Sequence, residues 1–250
     1  MPTTVLFRAE GLLQSYGVDA RFKERTSQLE TSKAAAASWG CMALHIDRDD
    51  NVGLRKVAAG IMGVRVDRKG RLVKDFQTAH NVLRVQADIV RVIQTGGTKG
   101  DIKPTETMHK YYLSDASFLV GLEYPDDTIP KQIYAGLKNP SYVIHLGRKC
   151  CLPSKPLWSA GPPVNLPVFE ALQQAELPDS YWSFYEKELG EKRVLYVLED
   201  KTMTSGDVRF DQPLSFSLKN RKFTERHVET REVMVTRETV EKDVWIPIPA

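Results

Sequence analysis

The sequence has little of three features that would point at once to a particular chemistry. Three cysteines occur in 250 residues, two of them adjacent at Cys150 and Cys151, which is a poor basis for a disulfide framework. No second Cys or His cluster stands at zinc-ligand spacing, so we expect reduced thiols and no metal or other cofactor. No stretch approaches the roughly 18 apolar residues of a membrane span, and residues 1–20 lack a signal-peptide pattern. We therefore expect a cytoplasmic protein with no membrane contact.

A large excess of charge of one sign is also missing. Lys and Arg total 35 against 32 Asp and Glu, a net charge of +3, so overall charge does not by itself indicate a nucleic-acid partner. The cations are clustered instead. No acidic residue lies between Thr128 and Phe169. The segment from Arg55 to Lys74 contains seven cationic residues and one aspartate. A third basic group surrounds Arg221. We hypothesise that these segments line one phosphate-binding groove; the alternative is that they are solvated faces.

The hydrophobic pattern predicts an α+β fold. Alternation predicts a first strand over 3–9 and an ordered loop to residue 31, after which Thr31 or Ser32 caps an alanine-rich helix. The later predicted elements are a short helix (52–59), a hairpin of 64–67 with 71–76, a protruding hairpin over about 79–110, a buried strand (111–123), a helix (129–137) and a strand (142–146). This order is the ferredoxin-like pattern.

Beyond residue 147 the composition changes and prolines become frequent. Three later stretches, 194–198, 214–218 and 228–235, have the apolar character of strands. We therefore predict a ferredoxin-like domain over residues 1–155 and a small β-rich C-terminal region over residues 156–250.

Three short strings, taken in order, identify a family. The first is FRAEGLLQSYG (7–17), followed by RT (25–26) and TSK (31–33). The second is DFQT (75–78), and the third is the pair YLSDASFLV (112–120) and LGRKCCLP (146–153). Together they resemble the CRISPR-associated Cas-five (CasD) family of the RAMP superfamily, especially its type I-E Cascade form. Tyr16 stands where that family has Trp, and Ala34 replaces a Gly.

The resemblance implies a RAMP-type fold with a ferredoxin-like, RNA-recognition domain, a β-hairpin thumb and a small C-terminal part. It also implies a non-catalytic role in antiviral defence. Such a subunit caps the 5′ handle of the crRNA, meets the adjacent Cascade backbone subunit through its thumb and helps seat the large subunit that reads the PAM. Contact with target DNA is then indirect, because the guide RNA reads the sequence.

The predicted RNA-binding residues group around two glycine corners and a helix start. Gly147 lets the backbone approach RNA closely, while Arg148 and Lys149 supply phosphate contacts and a stacking plane. Tyr16 offers a stacking ring or, equally, a packing residue, and the start of the helix after Ser32 favours an anion. The full predicted set is Arg8, Gln14, Ser15, Tyr16, Arg21, Arg25, Lys33, His80, Arg84, Lys110, Gly147, Arg148, Lys149 and Cys150.

The sequence leaves two other functions open. One is a metal-independent endoribonuclease that matures pre-crRNA, as type I-C relatives of the family do, using groups around the thumb base. The candidates for that chemistry are His80, His109, Lys110, Tyr111 and Tyr112. The other is a stand-alone RNA-binding regulator.

Overall fold

The computed structural model describes residues 1–17, 20–21, 24–80, 106–140, 142–178, 191–200, 202, 206–236 and 246–247. Within these residues the chain forms a mixed α+β fold with mostly antiparallel sheets and four α-helices. The helices are α1 (Lys33–Ala43), α2 (Asn51–Ala58), α3 (Thr128–Lys138) and α4 (Val168–Gln174), with a 3₁₀ turn at Leu157–Ala160. The strands are β1 (Thr3–Glu10), β2 (Leu13–Gln14), β3 (Ala20–Arg21), β4 (Glu24–Arg25), β5 (Ile61–Arg68), β6 (Arg71–Ala79), β7 (Glu106–Ser114), β8 (Ser117–Tyr124), β9 (Glu191–Glu199), β10 (Asp207–Ser215), β11 (Lys222–Thr236) and β12 (Ile246–Pro247).

The main sheet has seven strands in the order β1-β8-β5-β9-β11-β10, with β12 beside β11. All its described pairs are antiparallel. β8 is buried along its whole length, because elements pack on both faces of the sheet at that point. The predicted strands at 3–9, 194–198 and 228–235 are confirmed by β1, β9 and β11.

The second sheet is built around β7. β6 pairs antiparallel along one side of β7, while β2 and the parallel β4 pair with its other side and β3 pairs with β4. The predicted loop over 11–31 therefore contains three two-residue strands. This sheet carries the exposed, polar face of the molecule that is described below as the candidate site.

Side-chain caps determine where the first two helices begin. The Ser32 hydroxyl accepts a hydrogen bond from the Ala35 amide at 3.3 Å, and α1 starts at the next residue. The Asp50 carboxylate accepts from the amides of Val52 and Gly53 at 3.0 and 2.9 Å and starts α2 in the same way. Both helices, and α3, confirm the prediction to within two residues.

Alternate residues of the main sheet supply two separate cores. Phe7, Phe118 and Val120 face α1, where the rings of Phe7 and Trp39 lie 5.7 Å apart. The opposite face, which includes Leu119 and Tyr196, packs against α4.

Three predicted elements are wrong in the described structure. β5 and β6 are joined by a turn at Gly70, where φ is +72°, but they do not pair, because β5 enters the main sheet and β6 the second sheet. The predicted strand 111–123 is two strands in different sheets, separated at Asp115, whose φ is +56°. Residues 142–146 form no strand, since Tyr142 and Val143 point to solvent and the carbonyls of His145 and Leu146 accept from Trp39 and Ser15.

The C-terminal strands extend the main sheet. β9 pairs with β5 in the register Gly63–Leu198 to Val66–Leu195, and β11 and β10 follow outward. The predicted strand at 214–218 lies earlier, in β10. Val197 and Val228 also belong to the same core as α1. β9 and β11 are therefore packed against the N-terminal elements.

No helix among the residues that the structure describes is long and apolar enough to cross a membrane. Within the same residues, no group of three or more His, Cys, Asp or Glu side chains has a metal-binding arrangement.

Candidate nucleic-acid interface

The loop over residues 145–151, here called the Gly147 corner, is held in place by its own backbone. Leu146 N donates to the Cys151 carbonyl at 2.7 Å, and Cys151 N donates to the Arg148 carbonyl at 2.9 Å. Gly147 has φ +87°, and a Cβ added there would lie 1.8 Å from the Ser15 carbonyl oxygen. Glycine is therefore required both by the backbone angle and by the close approach of the chain over Ser15.

Arg148 is positioned by two contacts that leave its guanidinium on an aromatic surface. Its Cζ lies 4.6 Å from the centroid of the Tyr112 ring, and its Nη2 donates to the Arg25 carbonyl at 2.9 Å. Nη1 is shielded from solvent and has no hydrogen-bond partner in the part of the chain that the structure describes. A planar cation fixed on a ring is suited to stacking with a base or to charge pairing with a phosphate.

The neighbours of Arg148 provide an exposed cation and an exposed thiol. Lys149 and Cys150 both point to solvent, whereas Cys151 is buried. Burial raises the pKa of the Cys151 thiol to about 12, so this side chain is neutral at physiological pH. The Cys150 sulfur lies 4.0 Å from the Tyr112 hydroxyl and so marks the edge of the same aromatic surface.

The face of the second sheet that carries Tyr112 adds further polar groups. Lys110 lies two residues before Tyr112 on β7 and so shares its face. Its ammonium donates to the Gln77 side chain, whose amide in turn donates to Asp75 at 2.6 Å. β4 places Arg25 beside Lys110 in parallel register. The structure thus brings together six predicted residues: Arg25, Lys110, Gly147, Arg148, Lys149 and Cys150.

Gln14, Ser15 and Tyr16 lie beneath this surface and not on it. Gln14 is fully buried and donates to the carbonyls of Ala9 and Ala116 at 3.2 and 2.7 Å, while its oxygen accepts from the Tyr16 hydroxyl at 2.7 Å. Ser15 donates to the Tyr111 carbonyl at 3.0 Å. Their predicted side-chain contact with RNA is corrected to a supporting role, because these groups already satisfy one another inside the core.

The start of α1 does not offer a free anion site. The Lys33 amide donates to the Asp211 carboxylate at 2.8 Å, so a carboxylate of the protein itself occupies the favourable position. The Lys33 ammonium is buried and donates to both oxygens of Glu199, at 2.8 and 2.7 Å. The prediction that Lys33 binds RNA is therefore corrected: it joins α1 to the C-terminal strands.

Arg8 is likewise engaged on the other side of the main sheet. It forms an ion pair with Asp67, which also pairs with Arg65 at 2.6 Å. Arg8 shares the sheet face of Leu6, whereas Leu146 at the Gly147 corner belongs to the core on the opposite face. The prediction that Arg8 binds RNA is therefore corrected too, because the sheet separates Arg8 from the Gly147 corner.

Three other predicted residues stay predictions. His80 is exposed directly after β6. Arg21 lies in β3, but its side chain is outside the described structure. Arg84 and most of the predicted thumb, residues 81–105, lie outside the described residues.

The three basic segments do not contribute all their cations to one groove. Arg65 and Arg226 are buried in ion pairs, and Arg68 donates to the Asp115 carbonyl. The sequence predicted no RNA-binding role for Tyr112, although its ring supports Arg148. The signal that could have identified it is the string YLSDA, where strand alternation places Tyr112 on the opposite face from the buried Leu113.

Comparisons with known proteins concern the chain as a whole. A family model described as CRISPR-associated protein (Cas_Cas5) matches residues 4–229. A structure described as "Crystal structure of Cas protein" is 31% identical, with a TM-score of 0.64 over 95% of this chain and 97% of that chain. One described as "CRISPR RNA-guided surveillance complex" is 24% identical, with a TM-score of 0.66 over 94% and 92%. No curated protein matches the chain.

The fold and the family match together define a CRISPR-associated protein. Since the matching model spans nearly the whole chain, the protein belongs to the Cas5 family, and the family assignment made from the three sequence strings is confirmed.

Proposed function

We propose that this chain is a non-catalytic subunit of a type I CRISPR Cascade complex, of the I-E kind, that caps the 5′ handle of the crRNA in the cytoplasm. The observation that carries the proposal is Arg148, fixed on the Tyr112 ring and on the Arg25 carbonyl beside an exposed Lys149. Single-stranded RNA is recognised by stacking on rings and guanidinium planes and by hydrogen bonds to splayed bases. The similar fold of a chain from a CRISPR RNA-guided surveillance complex supports this role.

The partners follow from the same proposal. The thumb, whose base is the β6–β7 pair, meets the adjacent backbone subunit, and the body helps seat the large PAM-reading subunit. Phe76 at the thumb base is 59% exposed and its ring lies 5.3 Å from that of His109, which gives this region an apolar surface for contact. Target DNA is met indirectly through the guide.

A ferredoxin-like, RAMP-type core is part of the proposal. The elements β1, α1, β5, β8 and α3 follow the first five elements of a βαββαβ unit. Thr4 forms an isolated bridge with Val164 at the outer side of β1, which supplies that strand with an edge partner.

Binding is favoured over RNA cleavage because the described candidates for an acid and a base are spread along the thumb base. His109 pairs with Phe76 in the β6–β7 ladder, and His80 lies four residues beyond Phe76. Four strand residues span about 13 Å, so the backbones of the two histidines are well separated. Lys110 is engaged with Gln77, and the Tyr112 ring with the Arg148 guanidinium.

The proposal is tested by rebuilding the complex with Arg148→Gln and with Lys131→Gln as the charge-matched control. Lys131 is an exposed residue of α3, with 69% of its side chain accessible. We expect the first variant to retain crRNA about tenfold less well, as the loss of one stacking and phosphate contact predicts, and the second to match the wild type. Equal crRNA content in both complexes would contradict the role of the Gly147 corner.

A separate assay tests the absence of catalysis. The purified chain is incubated with labelled repeat RNA in chelator, and we expect the RNA to stay intact. A cut at the handle boundary that His109→Ala abolishes would replace this proposal with the endoribonuclease.

A further inference from the structure

The outer face of α3 carries a lysine held against two aromatic rings. Tyr134 and Lys138 are four residues apart and so share one face of the helix. The Lys138 ammonium lies 4.3 Å from the centroid of the Tyr134 ring and 5.8 Å from that of Trp158, which lies on the 3₁₀ turn. Lys138 and Trp158 are exposed, and Tyr134 is half-buried. These three residues are here called the Lys138 surface.

Both elements beneath the Lys138 surface are fixed by buried contacts. Ile133 and Leu137 of α3 lie in the main hydrophobic core. On the 3₁₀ turn, Leu157 is buried in the same core, and the Trp158 carbonyl accepts from the Gly161 amide at 3.1 Å. The surface is therefore preorganised for a partner, because the backbone that carries each of its side chains is already held in place.

The Lys138 ammonium forms no ion pair with a carboxylate in the part of the chain that the structure describes. Residues 129–168 contain no acidic side chain, so neither α3 beyond its first residue nor the 3₁₀ turn can supply one. The faces of aromatic rings attract an ammonium but do not neutralise its charge. An ammonium held in this way keeps its donors for an oxygen from outside the chain.

The Lys138 surface fits a carboxylate better than it fits a nucleic acid. Binding along a nucleic acid neutralises several phosphates, but the neighbouring lysines of these segments are already paired, Lys131 with Asp127 and Lys155 with Glu10 at 3.6 Å. The ammonium also covers one face of the tyrosine ring, so that face is not open to a stacked base. One charge beside exposed rings matches a carboxylate flanked by an apolar side chain, since Trp and Tyr are enriched in protein interfaces.

We propose that the Lys138 surface docks an acidic segment of a neighbouring protein subunit, with an Asp or Glu carboxylate on the Lys138 ammonium and an apolar side chain against Trp158. The proposal rests on the proposed function, which makes the chain part of a complex, and it adds a protein contact away from the thumb. The rings and the docked apolar side chain exclude water from the ion pair, which strengthens it relative to a pair in solvent.

Zero-length coupling by a carbodiimide tests this contact, because the reagent joins an ammonium to a carboxylate where the two groups touch. The assembled complex and the isolated full chain are treated in parallel, and the joined peptides are identified by mass spectrometry. The pair of Lys131 with Asp127 is the internal standard. We expect Lys138 to be joined to an Asp or Glu of another subunit in the complex but not in the isolated chain, and Lys131 to be joined to Asp127 in both.

Four variants measure how strongly the Lys138 surface holds that subunit. Lys138→Gln and Trp158→Ala should each weaken its retention about tenfold, whereas Lys138→Arg keeps the charge and should stay within about threefold of the wild type. Lys56→Gln is the matched control and should equal the wild type, because Lys56 is also an exposed lysine in the last turn of a helix.

The outcomes separate this inference from the proposed function. Lys138 left uncoupled in a complex where Lys131 is joined to Asp127 would overturn the inference, as would normal retention of every subunit by Lys138→Gln and Trp158→Ala. Loss of crRNA from these variants with all protein subunits retained would assign the surface to nucleic acid instead. A wild-type chain that joins no other subunit and retains no crRNA would reject the proposed function and this inference together.

Discussion

Replacing Lys33 with Met tests whether the C-terminal strands are part of one cooperative fold. The Lys33 side chain is 2% exposed and its partner Glu199 is 19% exposed. Glu199 also accepts from the Met62 amide at 2.8 Å, and the adjacent Arg226 and Asp211 form a second buried pair. Two cations therefore balance two carboxylates in this cluster. Lys33→Met keeps the apolar stem but leaves one carboxylate in excess.

The expected loss is large because burial already disfavours the charge. Burial lowers the pKa of Lys33, and the attraction of Glu199 offsets only part of that effect. Removing one partner of a buried pair costs about 3 to 5 kcal/mol, since the other charge stays buried without compensation. For a chain of this size, the melting temperature should fall by about 6 to 20 °C. Lys33→Met with Glu199→Gln removes both charges and should recover more than half of the loss.

Thermal unfolding followed by circular dichroism measures these values. Lys131→Met is the control, because its exposed pair with Asp127 is worth about 0 to 1 kcal/mol. The reasoning is refuted if Lys33→Met melts within about 1 °C of the control, or if the double variant is no more stable than the single one.

Other predictions concern single positions elsewhere. Gly147→Ala should lower stability by more than Gly161→Ala, because a Cβ added at Gly147 lies 1.8 Å from the Ser15 carbonyl oxygen whereas no atom lies within 4 Å of one added at Gly161. Gly161→Ala should cost only the backbone strain of its φ of +102°, about 1 to 3 kcal/mol; equal losses in urea unfolding would contradict the close approach. Asp67→Asn should cost about 3 to 5 kcal/mol in the same assay, because two arginines lose the carboxylate between them; a loss below about 1 kcal/mol would speak against that pair. Native alkylation should label Cys150 rapidly and leave Cys151 unmodified until unfolding; labelling of Cys151 in the folded protein would contradict its burial.

Local signals in the sequence predicted α1, α2, α3 and several strands well, whereas α4 was not predicted. Ser32 and Asp50 cap the helices because a short polar side chain directly precedes each run of helix formers. Residues 5–9 of β1 alternate and residues 194–198 of β9 are apolar, and both patterns are visible without knowledge of the partner strands.

Pairing between distant strands could not be inferred in the same way. The stretch from Tyr111 to Glu123 is apolar on both sides of Asp115, and nothing local shows that the chain changes sheets there. Gly70 indicates a turn but does not determine whether β5 and β6 pair with each other. β5 pairs with β8 and β6 with β7, and these partners lie far away in the sequence. Short-range patterns therefore predicted the helices and strands better than they predicted which strands pair.

The candidate site was predicted in part for a related reason. The family strings pointed to several residues that lie together at the Gly147 corner, but they did not distinguish exposed residues from the buried ones that support them. Tyr16 and Lys33 look like RNA ligands in sequence, and their burial follows from contacts with Gln14 and Glu199 that are set by tertiary packing.

Photo-crosslinking of the assembled complex tests the central claim most directly. Its crRNA carries a photoreactive base in the 5′ handle, and the modified peptides are identified by mass spectrometry. We predict crosslinks on the peptide that contains residues 145–151 or on Tyr112, which forms the floor beneath Arg148. Crosslinks confined to other parts of the chain, or a handle that reacts solely with other subunits, would contradict the account.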